Sequence, residues 1–322
     1  MPLEAIRALV QDDLTATDAF LNQQLLSDIP LISDVGQYVM ACGGKRIRPL
    51  IVHLSAKALN PQGKQHIELA AVIELIHTAT LLHDDVVDNA SLRRGQKTAH
   101  TIWGNEASVL VGDLLYSRAF QIVVNSRNYT ILDIFAAAMR YIAEGEILQL
   151  TNVHNPDTTE DFYFEVIQRK TAKLFEIASH IGSLVSCDSH EQIMAMRDFG
   201  LYLGIAYQLI DDALDYSTAS DATGKNLGND LAEGKTTLPL IHAMRHASTS
   251  ETELLRHTIK NGIYENINSI LAILESTGAI AYTASTAKHY AQKAKSALAN
   301  IADTPYRMAL HHLTDFVVER TF

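Results

Sequence analysis

Apolar residues recur every three or four positions along almost the whole chain. Ile67, Ala70, Ala71, Ile73 and Ile76 open one such run, which continues through His77 into His83 and Asp84. Others cover Ala107–Val124, Thr130–Leu150, Asp161–Leu184 and Glu191–Tyr216. This period puts one apolar stripe on each α-helix. Alternating segments rich in Val, Ile and Thr are scarce, so few strands are expected. Pro30, Pro49, Pro61, Pro156, Pro239 and Pro305 fall near expected helix ends, where a missing N–H costs least. Loop signals sit at Gly43–Gly44, Asn60–Gly63, Asn89–Lys97, His154–Thr159 and Ser217–Lys235. The last is long and polar, a length usually tied to function. There is no internal repeat and no linker. The pattern predicts an all-α chain, with residues 1–322 forming one domain.

Composition narrows the class. Hydrophobic residues make up 47% of the 322 residues, enough for a sizeable core. No stretch approaches the roughly 18 uninterrupted apolar residues that span a bilayer, so no transmembrane segment is expected. Met1–Val10 lacks a basic region followed by an apolar run, so no secretory signal is read there. Two cysteines, Cys42 and Cys187, make no disulfide framework and fit a cytoplasmic setting. The net charge of −11 argues against a nucleic-acid partner. It leaves room for a phosphorylated ligand, because bound divalent cations invert the local field.

The strongest chemical signal is Asp84-Asp85-Val86-Val87-Asp88. Residues four apart share a helix face, so Asp84 and Asp88 project together and Asp85 turns to their side. Ala79–His83 and Val86–Val87 give apolar surroundings, which suit a cavity wall better than a solvated acidic helix end. Asp211-Asp212-Ala213-Leu214-Asp215 repeats the spacing at the end of a second apolar helix. On facing helices the two clusters would form an oxygen-rich cleft suited to Mg²⁺, which keeps waters and leaves room for substrate phosphates. His77 and His83 lack zinc-ligand spacing, and His83 reads as a supporting or structural group. Metals placed this way neutralise a diphosphate and stabilise it as it leaves. The pattern points to ionisation of a C–O–diphosphate bond. Neither a P-loop nor GxSxG is present.

Gly43-Gly44-Lys45-Arg46-Ile47-Arg48-Pro49 is a basic loop before a helix, and Arg93-Arg94-Gly95 follows the first aspartate motif. Lys45 and Arg48 suit a diphosphate clamp; the same residues also suit a capped turn with solvated charges. Cys42, beside this loop, reads as packing.

Together, GGKRIRP, LLHDDVVD, RRG, GNEASVLVGD, EGEILQL, KTAKLFE, YQLIDDALDY and GKNLGNDLAEGKTTLPL resemble the trans-polyprenyl diphosphate synthases over nearly the whole chain. The resemblance implies an isoprenoid-synthase-type helical bundle around a deep central apolar cavity, assembled as a homodimer. It implies addition of isopentenyl diphosphate to an allylic diphosphate, such as farnesyl diphosphate, by ionisation, condensation and elimination. The long-chain product would serve a quinone side chain. By position, Asp84, Asp88 and Asp211 correspond to Mg²⁺ ligands, with Asp85, Asp212 and Asp215 in support. Arg93 and Lys170 match contacts to the allylic diphosphate, with Lys225 and Lys235 closing from the long loop. Lys45, Arg48, His77 and Arg94 match the isopentenyl diphosphate site. Thr171 and Gln208 match groups beside the allylic cation. Without that context Gln208 reads equally as a core amide, His77 as a core histidine, and Lys225 and Lys235 as solvated lysines.

Ala79 and Thr80, about one turn before Asp84, are small, and the resemblance ties small residues there to long products. Phe135, near Val123, is a candidate floor for the tail or a plain core phenylalanine. Two alternatives stay open. A terpene cyclase usually carries one DDxxD and a different second metal motif. A regulatory subunit of a heteromeric prenyl synthase would tolerate lost carboxylates, and none is lost.

Overall fold

The computed structural model describes residues 1–217, 227–262 and 267–320. Long helices at Gln65–Val87, Asn105–Asn125, Tyr129–Thr151 and His190–Leu214 match four periodic runs to within a few residues. The fifth run is not one α-helix. It divides into Glu160–Ile167, a π turn at Gln168–Ala172, and Lys173–Leu184.

Helix ends follow local chemistry. The Thr159 hydroxyl accepts from Phe162 N–H at 3.2 Å and starts the Glu160 helix. Ser248 and Glu251 form a capping box on Thr249–Asn261, which closes on Gly262 at φ 61°. Pro30 takes the first position of its helix, where no N–H is needed.

Two expected loops hold structure. In Asn89–Lys97, strand Leu92–Arg93 pairs antiparallel with Gln96–Lys97, Arg93 opposite Gln96. Arg94 and Gly95 form the turn at φ 54° and 76°, the two positive values that a type I′ hairpin requires. Within Ser217–Lys235, residues Asn229–Ala232 form a short helix. Thr218–Asn226, which include Lys225, lie outside the described residues.

The chain forms two compact units. One comprises residues 1–137, 174–200 and 297–313; the other 138–173, 201–296 and 314–322. Every passage of the chain from one to the other falls within a helix. The first unit is built on Gln65–Val87, whose Leu69–Ile76 stretch is buried all round. A helix apolar on every side belongs at the centre, and Gln11–Gln24, Ile47–Ala58 and Asn105–Asn125 pack on it. The second unit has its own core around Leu231, Leu240, Leu255, Ile259, Ile270 and Leu274.

Asn105–Asn125 is long and apolar enough to cross a membrane by length and composition alone. It buries Ala107, Val111, Leu115, Ala119 and Ile122 and exposes Glu106, Asp113, Ser117 and Gln121 together with Val109, Leu110 and Val124. Its buried stripe packs on Gln65–Val87.

Gly182 lets its helix approach Ile47–Ala58 closely: a Cβ there would lie 2.5 Å from the Val52 carbonyl oxygen. Backbone cannot step aside. Gly182→Ala is expected to destabilise the chain by about 1–3 kcal/mol. Gly63→Ala, whose Cβ meets nothing within 4 Å, is expected to change stability by under about 0.5 kcal/mol. Urea unfolding of the two variants measures the difference; equal midpoints would contradict the close approach.

Candidate active site

Gln65–Val87 ends on its aspartates. Asp84 and Asp88 are half-buried, and Asp88 N–H donates to the Asp84 carbonyl at 2.8 Å. Asp85 turns inward, where its carboxylate accepts from Arg93 Nε at 2.7 Å. Burial pushes the Asp85 carboxyl up, and the Arg93 guanidinium opposes that. The apolar surroundings expected here hold on one side only: Leu82 is buried, whereas Val87 is 63% exposed. Val87 is the last residue of the helix, between Asp85 and Asp88. The last turn carries no basic residue. Three carboxylates thus sit at the negative end of a helix dipole, a donor set that fits a hard cation.

The basic loop lies in the same unit. A Cβ on Gly44 would meet Arg94 Nη1 at 2.8 Å, so glycine lets the guanidinium lie against backbone. Arg48 Nη1 meets His77 Nε2 at 3.2 Å, and its guanidinium stacks over Phe175 at 4.5 Å. Burial, then Arg48, Arg94, Arg93 and Arg46, hold His77 well below its usual pKa. His77 is therefore neutral and accepts from Arg48. Arg46 serves the scaffold instead, pairing with Glu74 at 2.5 Å. The Lys45 carbonyl accepts from Arg7 at 3.0 Å. Cys42 Sγ meets Gln96 Oε1 at 3.2 Å, a packing role. His83 bonds the Val109 carbonyl at 3.1 Å and covers Gly112, as a structural residue would.

The second unit contains a pocket lined by Tyr163, Lys170, Thr171, Gln208, Asp212, Asp230 and Lys235, with apolar walls from Val153, Phe162, Val166 and Ile167. The π turn presents Lys170 and Thr171 to it. Gly145 makes the turn possible, since a Cβ there would lie 2.6 Å from Arg169 Cβ and 2.8 Å from Lys170 N. A hydrogen-bond chain crosses the pocket wall. Thr171 Oγ1 donates to Gln208 Oε1 at 2.8 Å, and Gln208 Nε2 donates to Asp212 Oδ1 at 2.7 Å. Tyr163 Oη donates to Asp212 Oδ2 at 2.5 Å. Asp212 is 1% exposed. Burial first, then the nearby Asp230, push its carboxyl well up, while Tyr163 and Gln208 pull it down.

Asp211 and Asp215 complete the second motif, again with no basic residue in the last helical turn. Asp211 pairs with Arg320 at 2.8 Å, and that guanidinium lies 4.2 Å over the Tyr207 ring. Asp215 Oδ2 accepts from Asp230 N–H at 3.0 Å. Lys170 pairs with Glu146 and Lys235 with Glu233. Tyr163, Gly145, Asp230 and Arg320 were not read from sequence as site residues. Gly145 and Asp230 sit inside EGEILQL and GNDLAEGK, so those motifs held the signal.

Ala79 is fully buried and Thr80 half-buried, its hydroxyl donating to the His77 carbonyl at 2.8 Å. Phe135 is buried with its ring edge-on to Phe120, centroids 5.0 Å apart.

A sequence profile of the polyprenyl synthetase family matches residues 29–276. The chain is 44% identical over 321 residues to the octaprenyl diphosphate synthase of Escherichia coli (strain K12), covering 99% of each. Its backbone matches a polyprenyl synthase from Caulobacter crescentus CB15 complexed with calcium and isoprenyl diphosphate. That match has a TM-score of 0.95 and 40% identity, covering 99% of this chain and 98% of that one. A decaprenyl diphosphate synthase from Rhodobacter capsulatus also gives 0.95, at 39% identity over 99% of both chains.

The Asp212 contacts set its titration. Tyr163 stabilises the ionised carboxylate, so Tyr163→Phe is expected to move Asp212 protonation to still higher pH. Carboxyl-carbon NMR titration of aspartate-labelled protein reads this directly. An unchanged or lower midpoint in the variant would show that Tyr163 does not hold the anion.

Proposed function

This chain belongs to the polyprenyl synthetase family, and we propose that it is a Mg²⁺-dependent long-chain synthase of octaprenyl class. It is a prenyltransferase of isopentenyl and allylic diphosphates, and we read residues 1–322 as one synthase domain. The observation that carries the proposal is the pair of aspartate triads, each at the C-terminal end of a helix with no basic residue in its own last turn. The likeness to an octaprenyl diphosphate synthase over the full length supports the chain length and, through it, a quinone side chain as destination. The Caulobacter relative was solved with calcium, which like magnesium is a hard, oxygen-seeking cation.

Asp84, Asp88 and Asp211 are the proposed ligands. Mg²⁺ held there would neutralise the diphosphate and stabilise its departure. Asp85 and Asp215 orient the motifs through Arg93 and the Asp230 backbone. Arg93 and Lys170, with Lys225 and Lys235, take the allylic diphosphate. Lys45, Arg48, His77 and Arg94 take isopentenyl diphosphate. There His77 stays neutral and positions Arg48 without adding charge. Thr171 and Gln208 present neutral oxygens to the allylic cation.

We also propose a cytoplasmic homodimer without a membrane span. Leu26, Ile29, Leu31, Val109, Leu110 and Val124 are exposed on the first unit. Helices Pro30–Ala41 and Asn105–Asn125, which bear four of them, pack on each other. Clustered exposed apolar side chains mark interfaces.

The purified chain alone, given Mg²⁺, farnesyl diphosphate and isopentenyl diphosphate, is expected to make the product. Asp84→Asn and Asp211→Asn each remove one charged ligand and are expected to cut kcat by about 10²-fold or more. Near-normal turnover of both in saturating Mg²⁺ would sink the metal assignment. No product without a second protein would reject a self-sufficient enzyme.

Product length tests the ruler. One helical turn rises about 5.4 Å, close to one isoprene unit. Ala79→Tyr or Thr80→Phe is expected to shorten the product to a few units while condensation continues. Mass spectrometry of the products decides, and unchanged length in both active variants would refute the ruler.

A further inference from the structure

Apart from both aspartate motifs, Asp13, His53 and His66 converge from three helices of the first unit, His66 at the opposite end of the helix that carries the first motif. These are Gln11–Gln24, Ile47–Ala58 and Gln65–Val87, which pack on one another. One carboxylate oxygen and one nitrogen of each ring lie within 4.8 Å of one another. We propose that they form a second metal site, for a borderline divalent ion of the Zn²⁺ and Co²⁺ class.

Three observations carry this beyond proximity. First, one donor pair already has ligand spacing. Asp13 Oδ1 and His66 Nε2 are 3.5 Å apart. Ligand bonds of about 2.0–2.2 Å in a tetrahedron put neighbouring donors about 3.3–3.6 Å apart. Second, the rings are buried and one of their nitrogens stands without a partner. His53 and His66 are 0% and 1% exposed. His53 Nδ1 lacks a hydrogen-bond partner, and His66 has only loose contacts with Asp13 and the Gly63 backbone. Buried polar atoms are seldom left so, and a metal would use such lone pairs. Third, the remaining donors are already engaged from outside. Lys57 Nζ holds Asp13 Oδ2 at 2.9 Å, which leaves Oδ1 to point at His66. Thr17 Oγ1 meets His53 Nε2 at 2.9 Å and donates onward to the Ile67 carbonyl at 3.4 Å. When Thr17 donates to Ile67 it accepts from His53 Nε2–H, the tautomer that leaves the lone pair on Nδ1. Outer contacts of this kind orient metal ligands.

Two imidazoles and one carboxylate select zinc or cobalt over magnesium. Asp13 is half-buried, which gives an ion access, and water supplies the fourth ligand. The ion would pin three helices, one of which carries His77 and the first aspartate motif. Its role is structural.

The test uses chelator-stripped full-length protein in saturating Mg²⁺, which occupies hard-cation sites. One equivalent of ZnCl₂ is expected to bind by calorimetry and raise Tm. CoCl₂ is expected to give the visible absorption of a tetrahedral site with nitrogen ligands. His66→Gln and the half-buried Asp13→Asn, the second guarding against a folding failure in the first, are expected to lose both signals. Thr17→Val is expected to weaken zinc about ten- to a hundredfold. Asp84→Asn and Asp211→Asn are expected to keep zinc binding, which separates this site from the proposed catalytic one. Absence of stoichiometric zinc binding in the parent, its survival in Asp13→Asn, or its loss in the motif variants would overturn the proposal.

Discussion

Two helices end in three aspartates each, and neither has a basic residue in its last turn. Like charges repel one another there, and the helix dipole adds its own negative end. Much of the local architecture answers that strain. Arg93 reaches Asp85 from a hairpin whose turn needs Arg94 and Gly95 at positive φ. Arg320 reaches Asp211 from more than a hundred residues away in sequence, steadied over Tyr207. Asp215 takes a backbone N–H from Asp230 and so anchors the chain that follows residue 226. Each contact relieves one carboxylate, and Arg320 does so at Asp211, a proposed metal ligand.

The same logic sorts the basic residues. Lys170 rests on Glu146, Lys235 on Glu233 and Arg93 on Asp85. The two lysine pairs are partly exposed, so each is weakly held and open to exchange, whereas Asp85 is buried. A diphosphate carries more negative charge than any one carboxylate and competes well for the same ammonium or guanidinium. Arg46 differs. Its pair with Glu74 is more enclosed, and its own left-handed backbone fixes the start of Ile47–Ala58. Removing one partner there would strand a buried charge, so this pair belongs to the scaffold. His77 stays neutral beside four arginines, and a neutral ring adds no repulsion to them.

Sequence periodicity located the long helices because burial of one stripe imposes a local, repeating pattern. It also located both triads, since a four-residue spacing on a helix is a local property. It could not locate the π turn. One extra residue in a turn leaves the apolar spacing almost intact, and its cause, Gly145, lies on another helix. The Tyr163–Asp212 bond joins residues 49 apart, and the Arg320–Asp211 pair joins residues 109 apart. Neither spacing has any local signature. The Asn89–Lys97 segment read as a loop because two-residue strands are too short for alternation to register. The apolar surroundings expected around Val87 failed for a related reason: composition near a helix end says nothing about which side the core lies on.

The Thr171–Gln208–Asp212–Tyr163 chain bears on how a carbocation survives in such a pocket. An ionised carboxylate beside an allylic cation would capture it as an ester. Asp212 lines the pocket, yet both of its oxygens are occupied, Oδ1 by Gln208 and Oδ2 by Tyr163. Burial and Asp230 further raise its pKa, which lowers the charge it presents. Gln208 spends its N–H on Asp212 and takes the Thr171 proton on Oε1. What remains to face the pocket from Thr171 is oxygen lone pair, with no proton directed inward. Neutral oxygen stabilises a cation through its dipole and is too weak a nucleophile to quench it. On the proposed reading, hydrogen-bond direction, rather than residue type alone, would suit this wall to an allylic cation. Asp212 sets that direction by accepting from Gln208, while Tyr163 holds its other oxygen.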